Sequence, residues 1–445
     1  MFSEKDIEVF ADKIDDLEES ADKLTKQINK QLIKDQKEII KIIEKYIKNN
    51  ELIIYGGNAQ NMAVMLIDKK NAFYDKEDVH DYDVYSYDPI YHIEKLTKQI
   101  YDAGFKNILA TEAIHVETYS IKYYGTALCD FSYMPKYIFY KLPTLTYNNF
   151  KIIDPYFAYI DFMRMFNDPL TSSSFRWAKN FERFNLMQQY YPLKAKELKK
   201  ISTTKDDINN TVKKVLLKTN VIFTGFKVFN KYASLSKCNK INYKYYTVVS
   251  SDYVNDVNTI IKKLKKVYKD RLVVQERYPF FQFWDFSCDI RIDDKIICKI
   301  YKNNNICIPY KTINKCKYAS FTYNLMWMMI EKVYYSLYNN ECNDVPENSK
   351  EIKAYYDSVI SAMLFMKDKY LKDNKKTFLD DTPFQHFVVS NCSGIPLNPS
   401  DIKQMIKNYR GFKYVPSTHD IDDTQHIYTN ISGRFITSDN NKFFK

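Results

Sequence analysis

A chain of 445 residues is long enough to bury two or three hydrophobic cores. Its 66 basic residues outnumber its 55 acidic ones and give a formal net charge of +11, which favours a polyanionic partner. The chain has no amino-terminal signal core, no run near the ~20 apolar residues needed to cross a bilayer, and no Cys-x-x-Cys zinc spacing. We therefore expect a soluble protein of a reducing compartment, the cytoplasm, and neither a membrane protein nor a zinc protein.

The amino-terminal part combines helical and extended patterns. Apolar residues at helical spacing over residues 4–48 predict two helices packed on the first sheet. Shorter apolar stretches then predict strands with two helices, 58–68 and 90–103, between them; the strands are 52–55, 81–86, 115–123 and 126–133.

Beyond Asp154-Pro155 the chain returns to helix, most clearly at 174–190, where Ser174 is placed to cap the start. Later helices are expected at 318–338, 349–372 and 400–409. The lysine-rich stretch 194–218 is the expected boundary. The fold class is α+β, and the predicted organisation is a catalytic domain 1–193, a basic linker 194–218 and a second domain 219–445.

The second domain carries a degenerate copy of the first. The segment 55–61, which reads Tyr-Gly-Gly-Asn-Ala-Gln-Asn, has a counterpart in 224–230, Thr-Gly-Phe-Lys-Val-Phe-Asn, and each follows an apolar strand. Three acids of the first copy are replaced in this alignment: Asp81, Asp83 and Asp130 become Tyr245, Thr247 and Lys299. We expect a catalytically inactive duplicate; the alternative is chance similarity between two strand-helix-strand units.

The three aspartates of the first copy are candidate catalytic metal ligands. Side chains on a strand alternate between faces, so Asp81 and Asp83 project from one side. Asp130 interrupts an apolar run, where an unpaired charge is costly to bury and therefore favours a cation or a basic partner. Such a trio can hold two Mg²⁺ ions ~3.5–4 Å apart for in-line nucleotidyl transfer. The alternative is a pair of solvent-facing acids on an edge strand, because Asp-x-Asp alone is not specific.

A glycine pair, Gly56-Gly57, follows the first apolar strand. Without a β-carbon the backbone can approach a triphosphate closely, and Asn58 opens the helix whose first amides favour anions. An ordinary tight turn has the same sequence, so the acids downstream give the pair its weight.

A basic stripe is expected on the helix at 174–190, since Arg176, Lys179 and Arg183 fall at i, i+3 and i+7. If this stripe looks across a cleft at the glycine pair, it binds the triphosphate and stabilises charge on the departing pyrophosphate. Ser172 to Ser174 are weaker candidates for hydroxyl donors. A solvated helix face is the alternative.

These motifs together resemble the polymerase-β-like nucleotidyltransferases, and more narrowly the poly(A) polymerase catalytic subunits of large cytoplasmic DNA viruses. That family also pairs an active nucleotidyltransferase domain with a degenerate one. The resemblance therefore implies a mixed sheet with flanking helices, followed by a degenerate nucleotidyltransferase-like domain.

The activity that the resemblance implies is template-independent addition of AMP from ATP to an RNA 3′ end, with two Mg²⁺ or Mn²⁺ ions on Asp81, Asp83 and Asp130. RNA is expected in a positive groove between the two copies, and a homodimer or a processivity subunit is expected to keep it engaged. The expected location is the host cytoplasm, a viral factory or the virion. The competing readings are nucleotidyl transfer to a tRNA end, a protein or a small molecule, and a non-catalytic RNA-binding scaffold.

Overall fold

The computed structural model describes residues 3–75, 79–113, 115, 117–168, 176–199, 210–293, 295–303, 307–337, 349–385, 392–393, 412–421, 427–429 and 435–437. Ser172 to Ser174 and the helix expected at 400–409 lie outside these ranges. The chain divides into two compact units: residues 1–133, 146–152 and 410–428 form the first, and residues 134–145, 153–409 and 429–445 form the second. The second unit thus includes 153–193, which the sequence analysis assigned to the catalytic domain.

The elements up to residue 153 follow the predicted order of helices and strands. They are α1 (Glu4–Ile28), α2 (Lys30–Asn49), β1 (Ile53–Tyr55), α3 (Gly56–Ile67), β2 (Tyr82–Ser86), α4 (Pro89–Asp102), β3 (Ile108–Glu112), β4 (Thr118–Tyr123), β5 (Thr126–Tyr133), α5 (Lys136–Phe139), β6 (Thr144–Tyr147) and β7 (Phe150–Ile153). Strands β3, β6 and β7 and helix α5 were not predicted, and β4 is shorter than the predicted strand 115–123.

The later elements begin with three helices and then repeat a strand-helix-strand order. They are α6 (Pro155–Asn167), α7 (Trp177–Tyr190), α8 (Asn210–Leu216), β8 (Ile222–Thr224), α9 (Phe226–Leu235), β9 (Tyr246–Ser250), α10 (Tyr253–Tyr268), β10 (Leu272–Arg277), β11 (Ser287–Ile292), β12 (Lys295–Lys302), β13 (Ile308–Ile313), β14 (Cys316–Ala319), α11 (Phe321–Leu337), α12 (Ser349–Asp373), β15 (Cys392–Ser393), β16 (Lys413–Tyr414), β17 (Ile427–Thr429) and β18 (Phe435–Thr437).

Helices α2 and α4 cover the core of the first unit. Ile39, Ile43 and Ile47, one helical turn apart, are fully buried on α2. Three apolar residues of α4 are fully buried as well: Ile93, Leu96 and Ile100. Helix α4 starts after Asp88, whose carboxylate accepts a hydrogen bond from the Tyr91 amide. Helix α1 differs from the expectation: within the described parts of the chain none of its residues is buried, so it does not pack on the sheet.

The first sheet has the strand order β16-β3-β4-β5-β2-β1-β7-β6. Strand β1 runs antiparallel to β2 and sets Tyr55 opposite Asp83, while β2 runs parallel to β5 and sets Asp83 opposite Asp130. Two of the predicted metal ligands therefore lie side by side at the centre of the sheet.

The second sheet, β10-β11-β12-β9-β8-β14-β13-β15, repeats that arrangement. Strand β8 is antiparallel to β9 with Thr224 opposite Thr247, and β9 is parallel to β12 with Thr247 opposite Lys299. Strand order, direction and register match the predicted alignment, so the repeat is confirmed.

One asparagine in each copy hydrogen-bonds to the loop that follows the helix after the glycine turn, α3 in the first copy and α9 in the second. Asn61 Oδ1 accepts a hydrogen bond from the Phe73 amide at 2.8 Å, and Asn230 Oδ1 accepts one from the Ile241 amide, also at 2.8 Å. The sequence alignment pairs these two residues, and the structure gives them the same role.

The described residues also bear on membrane insertion and on the state of the cysteines. Among the described residues no helix is long and apolar enough to cross a membrane. Among the described cysteines, 129, 238, 288, 298 and 316 are free thiols and Cys307 is disulfide-bonded.

Candidate active site

The glycine turn at Gly56 is packed against the side chain of Asp83. Gly56 has a φ of +66°, in the left-handed region that favours glycine, and it is the first residue of α3. A β-carbon at this position would overlap the Asp83 carboxylate. Gly56 is therefore required both by backbone conformation and by the side chain above it. Gly57 follows in the first helical turn and is half-buried.

Asn58 has a different place from the one expected. Helix α3 begins at Gly56, so Asn58 does not open it; it is the third helical residue and is buried. Its side-chain Nδ2 donates a hydrogen bond of 2.6 Å to the main-chain carbonyl of Asp81. Asn58 thus holds the backbone at the start of β2, across 23 residues of sequence, and the sequence offered no signal for this contact.

The three predicted acids occupy one region of the first sheet. Asp83 and Asp130 are neighbours on the parallel strands β2 and β5, and both are half-buried. Asp81 is exposed and lies immediately before β2. Burial raises the pKa of the Cys129 thiol, and the carboxylates of Asp130, Asp83 and Asp81 raise it further. All three carboxylates therefore act electrostatically on the same buried thiol.

The environment of Asp130 disfavours its ionised form. Burial raises its pKa, the Ser120 hydroxyl and Lys122 oppose that rise, and the Asp81 carboxylate adds to it. Its Oδ1 atom is buried and has no hydrogen-bond partner in the described structure. A buried carboxylate oxygen in this state favours a bound cation.

The donor set fits a hard divalent cation, because it consists of carboxylate oxygens. Across the described ranges, however, no three acidic, histidine or cysteine side chains form a preformed metal cluster. Asp83 and Asp130 are thus neighbours, and Asp81 lies just before β2. The three carboxylates do not converge into a preformed metal site among the described residues.

The predicted basic residues lie on or beside α7, which belongs to the second unit. Arg176 precedes the helix, Lys179 is exposed and Arg183 is half-buried. The opposite side packs on α6, where Phe166 contacts Trp177 and Phe184 with ring centroids 6.2 and 6.3 Å apart. Trp177 and Phe184 thus contact α6, whereas Arg176 lies outside the helix, and the role of the three cations towards a triphosphate stays a prediction.

The second copy keeps the glycine and replaces the acids. Gly225 has a φ of +70°, and a β-carbon there would lie 3.2 Å from the Thr247 side chain. Lys299 stands at the position of Asp130; it is buried and donates a hydrogen bond of 2.7 Å to the Tyr335 hydroxyl. The Lys299 ammonium also lies 4.9 Å from the ring of Tyr245, which replaces Asp81.

A buried glutamate shares this environment. Burial raises the pKa of Glu331 to about 7, and the Lys299 ammonium opposes the rise. The glutamate also accepts hydrogen bonds from Trp327 Nε1 at 3.0 Å and from the Tyr356 hydroxyl at 3.3 Å. A lysine, a glutamate and three tyrosines therefore occupy the region where the first copy has carboxylates.

Two models of known protein families match the sequence of this chain. A family model described as "Poly(A) polymerase catalytic subunit" matches residues 41–172, and "APMV, Putative poly(A) polymerase, catalytic subunit, C-terminal" matches residues 185–444. The two matches meet on the amino-terminal side of the predicted linker.

Individual relatives give the same picture. The "Putative poly(A) polymerase catalytic subunit" of Acanthamoeba polyphaga mimivirus is 26% identical over 427 residues, 88% of this chain and 73% of that protein. Its namesake from African swine fever virus is 33% identical over 171 residues, which are 37% of this chain and 36% of that protein.

The crystal structure of the Megavirus polyadenylate synthase has the same fold, with a TM-score of 0.83 at 24% identity, over 99% of this chain and 94% of that one. Because the second family model alone spans more than half of the sequence, membership does not depend on the fold. The chain belongs to the poly(A) polymerase catalytic subunit family.

Proposed function

We propose that the chain adds AMP from ATP to RNA 3′ ends without a template, at a reaction centre in the first unit. The observation that carries this proposal is the pairing of Asp83 with Asp130 on neighbouring strands, with Asp130 Oδ1 buried and lacking a hydrogen-bond partner among the described residues. The same register in the second unit holds Thr247 and Lys299, which are unsuited to bind Mg²⁺. The reaction is therefore assigned to one copy.

Four residues have defined tasks in this centre. Asp81, Asp83 and Asp130 would hold two divalent cations, Mg²⁺ or Mn²⁺, through their carboxylate oxygens. Bound there, such ions supply Lewis-acid activation of the RNA 3′-hydroxyl and neutralise charge on the leaving pyrophosphate. Asn58 fixes the main chain of Asp81, which sets the direction from which that carboxylate enters the site.

The transfer needs no covalent protein intermediate. The RNA 3′ oxygen forms a bond to the α-phosphorus of ATP, and the bond from that phosphorus to the bridging β-oxygen breaks, so pyrophosphate leaves in line. The backbone at Gly56 and Gly57, together with the first amides of α3, suits the approach of the triphosphate. Arg176, Lys179 and Arg183 are the proposed cationic contacts for its outer phosphates.

RNA is the proposed acceptor, and the net charge of +11 supports a backbone-directed, salt-sensitive interaction. Retention of the growing strand is proposed to involve either self-association or a separate processivity subunit. Transfer to a tRNA end, a protein or a small molecule remains the alternative for the same acids.

The deciding experiment incubates the purified chain with a short RNA, Mg²⁺ or Mn²⁺, and each nucleoside triphosphate separately. The proposal expects a ladder of extended RNA with ATP alone. Asp83→Ala is expected to abolish extension while RNA binding persists.

The second copy offers a matched control. Thr247 occupies the register position of Asp83, so Thr247→Ala should retain extension within a few fold. Equal activity of wild type and Asp83→Ala would refute the reaction centre, and transfer only to non-RNA acceptors would select the alternative.

A further inference from the structure

Three lysines of the second unit lie around the ring of Tyr318 on β14. Two of them are one helical turn apart on α9, and the Lys227 and Lys231 ammonium groups are each 5.9 Å from the centre of that ring. The third, Lys213 of α8, acts electrostatically on Lys227. All three lysines are half-buried. We call Lys213, Lys227 and Lys231 the lysine cluster.

The elements that form and surround the lysine cluster carry no acidic residue. Helices α8 and α9 and strands β8, β9, β13 and β14 contain no aspartate or glutamate. Within the described chain, none of the three ammonium groups of the cluster is ion-paired. The same six elements contain six lysines: Lys213, Lys214, Lys227, Lys231, Lys311 and Lys317.

The charge of the cluster is unfavourable without an anion. Burial and the like charge of Lys213 lower the pKa of Lys227 to about 8, and the Cys316 thiol opposes them. The rings of Phe223 and Tyr246 lie 4.9 and 5.1 Å from the Lys227 ammonium and offset part of this cost through cation–π contacts. A bound anion would offset the remainder, because it would interact with all three cations at once.

The catalytic copy has no such cluster at the same place in its fold. The alignment of 55–61 with 224–230, extended without gaps, sets Lys213, Lys227 and Lys231 against Glu44, Asn58 and Met62. In the first copy each of these residues has a structural place: Glu44 accepts a hydrogen bond from the Tyr82 hydroxyl, Asn58 holds the Asp81 carbonyl and Met62 is buried. An acid and two neutral side chains are therefore replaced by three cations.

The strand beneath the cluster differs in the same sense. Tyr318 is opposite Phe223 of β8, as Ile152 is opposite Ile54 of β1 in the equivalent pair of parallel strands. Ile54 and Ile152 are fully buried, whereas Tyr318 is half-buried. The fold does not require lysines and an accessible aromatic ring here, so these residues indicate a function that the second copy has acquired.

The residue types of the cluster specify the ligand. Lysine ammonium groups are compact point charges that bind phosphate oxygens. Tyr318 and the nearby Tyr243 are both half-buried, so part of each ring is accessible, and tyrosine rings stack on unpaired bases. Phosphate groups beside unpaired bases are the repeating unit of single-stranded nucleic acid.

We propose that the lysine cluster, together with Tyr243 and Tyr318, binds the phosphate backbone of single-stranded RNA on the second unit. The inference rests on the proposed function, from which RNA is taken as the polymer that the chain holds. All five residues belong to the second unit, and none occupies the register position of an acid of the reaction centre. The site should therefore set the affinity for RNA and not the rate of transfer.

The salt dependence of RNA binding tests the cluster. Binding of a fluorescent RNA of about 20 nucleotides is measured by anisotropy without ATP or metal ions, for wild type and for the combined Lys213→Gln, Lys227→Gln and Lys231→Gln variant. Each phosphate contact on a single strand contributes about 0.7 to the slope of log K against log salt concentration. Three lost contacts should lower that slope by about 2 and raise the Kd about 100-fold at about 0.1 M salt.

Two triple variants are matched controls. Arginine at the same three positions keeps the charge and should keep the slope. Lys262, Lys265 and Lys266 are exposed on α10 of the same unit, and their replacement by glutamine removes the same charge elsewhere. That variant should change the Kd no more than about threefold, because exposed charges are screened over about 10 Å at this salt concentration. In single-nucleotide extension the cluster variant should have a raised KM for RNA and an unchanged kcat.

A cross-link locates the site in the wild-type chain and does not depend on the folding of any variant. RNA that carries 5-iodouridine should, on irradiation, attach to a peptide that contains Tyr243 or Tyr318. An excess of ATP should leave the cross-link in place. Displacement by ATP would assign the phosphates to a free nucleotide and overturn RNA as their source.

Three results would overturn the proposal and leave the reaction centre standing: an unchanged salt slope in the glutamine variant of the cluster, an equal loss in the α10 variant, or cross-links confined to other peptides. The reaction centre is tested separately by Asp83→Ala, since binding is measured without ATP or metal ions. Wild type that binds no RNA at all would refute RNA as the acceptor and, with it, the proposed function.

Discussion

Replacing Gly56 by alanine tests how the glycine turn serves the acids above it. At a φ of +66° an alanine costs about 1–2 kcal/mol in backbone strain. Its β-carbon would also overlap the Asp83 carboxylate, which must then rotate or shift away. The substitution therefore combines a general loss of stability with a displacement of one proposed metal ligand.

Gly225 separates these two effects, because its φ of +70° imposes the same strain while its neighbour is the side chain of Thr247. Both alanine variants should lose about 1–2 kcal/mol of stability, which lowers the melting temperature by about 2–4 °C per kcal/mol. Activity should differ. A displacement of about 1 Å in a reacting centre costs about 100-fold in rate, so Gly56→Ala should lose at least that factor and Gly225→Ala no more than threefold.

Single-nucleotide extension of an RNA primer at saturating ATP and Mg²⁺ measures the activity, and thermal unfolding measures the stability. Activity of Gly56→Ala within threefold of wild type, or an equal loss of activity in Gly225→Ala, would refute this role of Gly56.

Three further outcomes follow from individual contacts. Asn58→Ala removes the 2.6 Å hydrogen bond to the Asp81 carbonyl and should raise the Mg²⁺ concentration for half-maximal activity about 10-fold; an unchanged Mg²⁺ titration would contradict this role. Glu331 has a folded-state pKa of about 7 against an ordinary 4.5, so protonation of this carboxylate favours the folded state. The free energy of unfolding should therefore fall by about 3 kcal/mol as the pH rises from 4.5 to 7. In chemical unfolding across that pH window, the free energy of unfolding of Glu331→Gln should depend less on pH than that of wild type. An identical pH dependence in the two proteins would refute this role of Glu331. Asn61→Ala and Asn230→Ala should each cost about 1–2 kcal/mol in the same unfolding assay, and a loss in one copy alone would argue against equivalent loops.

Much of the sheet architecture follows from the sequence because strands with apolar cores and helices with apolar stripes have distinct periods. Asp83 and Asp130 were recognisable as polar residues within buried strands, and the alignment of the two copies matched them with Thr247 and Lys299, which hold the equivalent register positions. These features depend on local pattern, which a single sequence records directly.

Other features depend on contacts between distant segments. The hydrogen bond from Asn58 to Asp81 spans a loop whose closure no local pattern predicts. Lys299 meets Tyr335 because α11 returns over the sheet 36 residues later. The apolar face of α1 has one period whether it covers a sheet or a second helix, so its exposure could be learned only from the fold.

The buried lysine of the second unit opposes the introduction of a carboxylate at the position that corresponds to Asp130. Restoring an aspartate at Lys299 would remove the positive charge that stabilises the Glu331 carboxylate and would add another anion to the same desolvated region. An aspartate at this position would therefore need a compensating replacement of Glu331. Introduced alone it would give a destabilised protein, so the chemistry of the second sheet resists single substitutions.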